Sequence, residues 1–192
     1  PLMGWRDNGN RNAGKLLIVN RAAQETNPRY ARIELSGNGI YSLSNEGFRG
    51  MGIHQQETYH FSMQAALTEG NVTVKIELLN AASAVIGSSS VALTPGAAKQ
   101  YSTTLLAKDT AQRGKLRISF EGKGTVEADL ISLFPATTWK NRPRGLRADL
   151  VQKLADLKPG FLRFPGGCIV EGKELSNRYQ WKTTVGNPEE RK

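Results

Sequence analysis

Between Tyr30 and Phe134 the apolar residues of this chain recur at every second position. Tyr59, Phe61, Met63, Ala65 and Leu67 alternate with His60, Ser62, Gln64 and Ala66, and Val72, Val74, Ile76 and Leu78 fall on one face of the following segment. Leu116, Ile118 and Phe120 repeat the period, as do Val126, Ala128, Leu130, Ser132 and Phe134. Period-two alternation of this length predicts strands with one buried and one solvated face. Gly70-Asn71, Gly87-Ser88, Pro95-Gly96, Arg113-Gly114 and Gly122-Lys123-Gly124 punctuate the segments as turns, and Gly37-Asn38-Gly39 reads as a hairpin signal. With no helical period intervening, the chain is predicted to be mainly β, a jelly-roll-like antiparallel β-sandwich over residues 29–136. Residues 1–28 are polar and rich in Gly and Asn, and read as a connector with one strand at Leu16–Val19.

The pattern changes after Pro135. A connector carrying Trp139 and two prolines leads to Gly145, beyond which Leu146, Leu150, Leu154 and Leu157 form the apolar stripe of a helix of about thirteen residues. Lys158-Pro159 ends it, because proline cannot continue the hydrogen-bond ladder. Phe161-Leu162-Arg163-Phe164 follows as a short predicted strand that closes in the glycine-rich turn Pro165-Gly166-Gly167-Cys168. A helix, a strand and then a glycine-rich turn is how an α/β barrel presents site residues at the C-terminal ends of its strands. Residues 137–192 are therefore expected to be a short α/β segment of a truncated (β/α)8 barrel, since a whole barrel takes about 250 residues. The remainder of the barrel is expected to be missing from the chain. A lone barrel strand would expose unpaired edges and invite self-association.

Composition changes this picture little. The single cysteine, Cys168, excludes an internal disulfide. No apolar run reaches the roughly 18 residues of a membrane helix, so no membrane partner is expected. The N-terminus has no signal-peptide layout and no starting methionine. The formal charge is +9. Residues 1–136 carry 14 Lys and Arg against 11 Asp and Glu, and residues 137–192 carry 12 against 6. These cations are scattered among apolar positions with no run longer than two, which argues against a nucleic-acid partner. His54 and His60 are the only histidines, and no cysteine pair supports them as metal ligands.

Gly145-Leu146-Arg147-Ala148-Asp149-Leu150-Val151 followed by Leu157-Lys158-Pro159-Gly160-Phe161-Leu162-Arg163-Phe164-Pro165-Gly166-Gly167 resembles the α-L-arabinofuranosidases of glycoside hydrolase family 51. Glu171-Gly172, Arg178-Tyr179-Gln180-Trp181-Lys182, Gly186-Asn187-Pro188 and Arg191 fit the same pattern. The sandwich is similar to a carbohydrate-binding module of the kind found in these enzymes, on the marks Gly39–Phe48 and Glu57–Ser62. The resemblance implies a retaining glycosidase that removes terminal α-L-arabinofuranosyl groups from plant cell-wall polysaccharides such as arabinan and arabinoxylan, with no cofactor and in a secreted or periplasmic setting. Such an enzyme needs two carboxylates about 5–5.5 Å apart. No position here matches either family glutamate, so no catalytic residue is assigned and the fragment is expected to be inactive alone.

The resemblance places the turn Gly166-Gly167-Cys168 against the substrate, with Cys168 touching arabinose rather than acting as nucleophile. The alternative is a tight turn with a small buried thiol. Glu171 and Glu174 read as solvated or loop-fixing carboxylates, and Arg163 either organises carboxylates inside a barrel or is a structural charge. Trp181 and Tyr179 are candidates for stacking on sugar, or for packing on the helix. In the sandwich, Tyr41 and Phe48, beside Asn45 and Glu46, either line a groove or pack in the core. A binding module without catalysis, and a structural spacer domain, remain the competing readings.

Overall fold

The period-two segments of the sequence join into three long strands that run side by side and bend together. The computed structural model describes residues 4–20, 27–163, 166–187 and 191. Its strands are β1 (Trp5–Asp7), β2 (Gly14–Asn20), β3 (Arg29–Asn45), β4 (Met51–Ile53), β5 (Thr58–Leu79), β6 (Val85–Ala92), β7 (Gly96–Leu106) and β8 (Ala111–Pro135). β8 lies between β3 and β5 and pairs antiparallel with both along most of its length. On one side of the bend, β2, β8, β5 and β7 extend the first half of β3 into a layer. On the other side, β1 and β6 flank the remaining halves of β3, β8 and β5. The two layers share one core, in which Ile33, Phe61, Met63 and Val126 of the first meet Val74, Ile76, Ile118 and Phe120 of the second. The antiparallel sandwich expected from the alternation is thus present, and β1 and β2 of the N-terminal stretch are part of it.

Pro95-Gly96 stands at the connection between β6 and β7 as expected, but the other glycines read as turns lie inside strands. Gly70 pairs with Gly124 and Asn71 with Lys123 inside the β5–β8 ladder, so neither Gly70-Asn71 nor Gly122-Lys123-Gly124 ends a strand. Gly37-Asn38-Gly39 is a bulge between Ser36 and Ile40 of β3, not a hairpin. These are the corners at which each long strand passes from one layer to the other. Gly70, Gly122 and Gly124 hold φ of +89°, +122° and +147°, values that glycine adopts freely. The irregularity at Ala66–Glu69 also shifts the buried positions of β5 from odd to even numbers, which keeps Leu67 and Val72 both in the core.

A second bulge corrects the sequence pattern near the end of β8. Ser62 pairs with Ser132 but Gln64 pairs with Asp129, leaving one extra residue in β8. Leu130 takes the left-handed conformation there, at φ +48°. A one-residue slip exchanges the faces of everything beyond it. Ile131 and Leu133 pack against the core, and Ser132 and Phe134 turn to the outer face.

Beyond the sandwich, α1 spans Ala148–Asp156, nine residues rather than thirteen, because Gly145–Arg147 form a turn and bridge around Thr138. Its stripe residues Leu146, Leu150, Leu154 and Leu157 are all exposed. The predicted strand at 161–164 does not form in its described part. Phe161–Arg163 are irregular, since a strand requires a neighbouring ladder and no described strand reaches them. The strand edge expected to drive self-association is therefore not built; the segment exposes the side chains of Phe161 and Leu162 instead. A short helix, α2 (Cys168–Glu171), and two single-turn helices at Leu175–Asn177 and Trp181–Thr184 complete the described chain. No described helix is long and apolar enough to cross a membrane.

Candidate functional site

The glycine-rich turn ends in α2. Gly167 precedes that helix at φ +91°, a conformation that favours glycine, although a Cβ there would meet nothing within 4 Å. Its requirement is therefore conformational rather than one of close approach. Gly166 and Gly167 are exposed. The Cys168 side chain, with Phe164 and Pro165, lies outside the described residues. Tyr179 donates its backbone N–H to Val170 O at 3.2 Å, which ties the last loop to α2. Tyr179 Oη and Thr184 Oγ1 are 3.4 Å apart, and Trp181 opens the last turn at 59% exposure. Gly167, α2, Tyr179 and Trp181 are thus parts of one C-terminal segment.

Glu171 and Glu174 are exposed in the same segment. Glu174 N–H donates to Asn177 Oδ1 at 3.0 Å and Asn177 N–H returns to Glu174 O at 3.1 Å, so Glu174 closes a local turn. Arg163 is exposed as well. Among the described residues no group of three His, Cys, Asp or Glu side chains is placed to hold a metal.

The two sandwich candidates separate. Phe48 is fully exposed on the turn between β3 and β4. Tyr41 is 2% exposed, so its ring fills the core and lines no groove. Its hydroxyl donates to Asp7 Oδ1 at 2.7 Å. Burial, with help from that hydrogen bond and the Asp7 charge, pushes its phenol up to about 12. Tyr41→Phe is expected to cost about 1 kcal/mol, the worth of one hydrogen bond. In a spectrophotometric titration the variant should lose the phenol that ionises last; an unchanged titration would contradict this environment.

Two clefts flank the junction between sandwich and connector. The larger, about 580 Å³, is lined by Trp5, His54, Tyr59 and Pro135 and by Arg147 and Asp149 at the start of α1. Glu57 Oε1 accepts hydrogen bonds from the N–H groups of Thr58 and Thr137, at 3.2 and 3.1 Å, and so fastens the connector to β5. Arg147 grips Asp149 through two nitrogens, at 3.1 and 2.6 Å. This hydrogen bonding holds the Asp149 carboxyl below its ordinary value, and a carboxylate kept ionised is a poor proton donor. Among its described lining residues the carboxyl groups are that paired Asp149 and the Glu57 already engaged with backbone.

The smaller cleft, about 440 Å³, lies on the outer face of the first layer and includes His60, Ser62, Ser102, Thr104, Phe134 and Arg144. His60 stands between Thr104 on β7 and Phe134 on β8, and Ser62 between Ser102 and Ser132. The Ser62 and Ser132 hydroxyls are 2.7 Å apart. Phe134 was hidden from the periodicity, which assigns it to the core face; only the bulge at Leu130 reveals its true side.

Residues 153–192 match the family model described as the alpha-L-arabinofuranosidase 1 domain. The extracellular exo-α-L-arabinofuranosidase of Streptomyces chartreusis is 36% identical over 205 aligned residues, covering 100% of this chain and 23% of that protein. Alpha-L-arabinofuranosidase 1 of Arabidopsis thaliana is 36% identical over 159 residues, covering 81% of this chain and 23% of the relative. An arabinose-bound family 51 α-L-arabinofuranosidase of known structure superposes with a TM-score of 0.84 at 27% identity, over 99% of this chain and 32% of that one. The chain thus spans about a quarter of the length of the curated relatives it matches. Sequence and fold together identify it as an α-L-arabinofuranosidase-related region of glycoside hydrolase family 51.

Proposed function

We propose that the chain is part of a retaining α-L-arabinofuranosidase that hydrolyses terminal arabinofuranosyl groups of plant cell-wall polysaccharides. In this reading residues 137–192 begin the catalytic barrel, and the sandwich precedes it as a separate unit. The observation that carries the proposal is the continuous similarity to an exo-α-L-arabinofuranosidase across the whole chain, sandwich, connector and C-terminal segment alike. Gly166, Gly167 and Cys168 would then line the arabinose pocket with Trp181 near its mouth, and Gly167 would shape the backbone there through its positive φ. That the Streptomyces relative is extracellular supports a setting outside the cytoplasm.

Retaining hydrolysis needs one carboxyl group as acid/base and a second as nucleophile, held about 5–5.5 Å apart. Asp149 is paired with Arg147, and Glu174 closes its own turn. Neither is disposed as one of such a pair, and the reading assigns both catalytic glutamates to a part of the barrel beyond these 192 residues. The purified chain should release no arabinose from a nitrophenyl α-L-arabinofuranoside or from arabinan. A longer chain that includes the barrel should release it with retained anomeric configuration. Arabinose release by the 192-residue chain would overturn the placement of the glutamates, and a longer chain that cleaves only another glycoside would overturn the activity.

A further inference from the structure

Both layers carry ion pairs on their outer faces, Lys15–Glu34 and Arg32–Glu127 on that of the first. The second carries Lys75, Glu77 and Arg117 joined in ion pairs. The first, at its cleft, presents imidazole and hydroxyl side chains, His60, Ser62, Ser102 and Thr104, with the half-buried Phe134 among them and Arg144 contributed by the connector. We propose that this groove binds a short neutral oligosaccharide.

A sugar ring has an apolar C–H face and a rim of hydroxyls that both donate and accept. Phe134 supplies a surface for the first, and serine, threonine and imidazole groups supply partners of either polarity for the second. Arg144 adds several fixed donors at one end. The volume falls in the range of about 300–1,000 Å³ usual for small-molecule sites. An anionic ligand or a nucleic acid would call for a cluster of cations, whereas the described lining offers one arginine.

The backbone supports the same assignment. Phe134 reaches the outer face only because Leu130 accepts a left-handed conformation at the bulge, and Arg144 also sits at positive φ, +54°. Left-handed conformations of such residues are strained and tend to mark functional positions. Here two of them place the half-buried Phe134 ring and the one guanidinium among the groove's described lining residues; the other phenyl ring, Phe61, is in the core. The inference does not rest on the hydrolytic activity proposed above, and each can fail alone.

The test is calorimetric titration of the chain with xylohexaose, α-1,5-arabinohexaose and a glucuronic-acid-bearing xylo-oligosaccharide. At least one neutral ligand should bind, and Phe134→Ala and Arg144→Ala should each weaken it about tenfold or more, equivalent to about 1.4 kcal/mol. Phe48→Ala should leave binding unchanged. Should Phe134→Ala disturb folding, His60→Ala and Thr104→Val, both at exposed positions, carry the same test. The proposal is overturned if neither neutral ligand binds at millimolar concentration, if only the acidic one binds, or if folded groove variants bind as the wild type does.

Discussion

Alanine at Gly122 or Gly124 is expected to lower the stability of the sandwich by about 3 kcal/mol or more, the sum of a strained backbone and a clash without relief. At Gly122 a Cβ would stand 2.1 Å from Asn71 O, and at Gly124 2.1 Å from Glu69 O. Both obstacles are backbone atoms of the neighbouring β5, held in the ladder itself, so the mutant must break pairing at the corner to make room. Gly96 offers the control. Its φ is +143° but nothing lies within 4 Å of a Cβ, so Gly96→Ala should cost only the conformational part, about 1 kcal/mol. Urea midpoints for the three variants measure the contrast. Equal losses at positions 96, 122 and 124 would mean that close strand approach is not what these corner glycines permit.

The second large effect concerns Glu77, whose carboxylate is almost fully buried at the interface of β5 and β8. Arg117 Nε donates to its Oε2 at 2.8 Å and Lys75 Nζ lies 2.9 Å from Oε1. Burial alone would raise its pKa, and that is the largest single influence; the hydrogen bonds from Arg117 and Lys75 together outweigh it and hold the carboxyl below its ordinary value. Arg117→Met should therefore destabilise the fold by about 2–3 kcal/mol, below the 3–5 kcal/mol typical of a broken buried pair because Lys75 remains.

The sign with pH follows from the lowered pKa. The carboxyl's contribution is complete above the ordinary carboxylate range and is lost as pH falls through the folded-state value. In Arg117→Met the loss should begin at higher pH, because burial is then opposed by Lys75 alone. Glu77→Gln should remove this part of the acid limb of the stability profile. Coincident acid unfolding curves for wild type and Glu77→Gln would show that the pair does not set the limb.

The inner faces of the long strands were legible in the sequence because burial enforces a strict alternation. Tyr59 through Leu67 and Val72 through Leu78 occupy the core as their period requires. Periodicity carries no information on whether a glycine pair turns a strand back or lets it bend onward, since both use positive φ. Gly70-Asn71 and Gly122-Lys123-Gly124 accordingly read as turns in the sequence, and only their mutual pairing shows them to be corners. The bulge at Leu130 was unreadable for a related reason. A leucine is an unremarkable core residue, and nothing local announces the left-handed conformation that turns Phe134 outward.

Tyr41 and Phe48 flank the same stretch of sequence, yet one is buried and the other bare. Their neighbourhood to Asn45 and Glu46 could not distinguish these fates. The leucine stripe predicts the helix but starts it too early, because Gly145 N–H bonds Arg142 O and Leu146 O accepts from Trp139 N–H in a turn ahead of it. The family resemblance in the C-terminal segment was visible in the residues themselves, whereas the shape of that segment was not.

The place of β8 bears on how the chain folds. β3 and β5 do not pair with each other; each pairs with β8, the last of the described strands. Ala31 must find Ala128, and Thr73 must find Glu121. Contacts so distant along the chain are costly in loop-closure entropy and slow to form. On the ribosome the segments before residue 111 can form only two partial sheets with open edges. They can be welded into one body only when the whole of β8 has emerged, so any product of early termination within 111–135 should be a substrate for chaperones and proteases rather than a smaller stable domain.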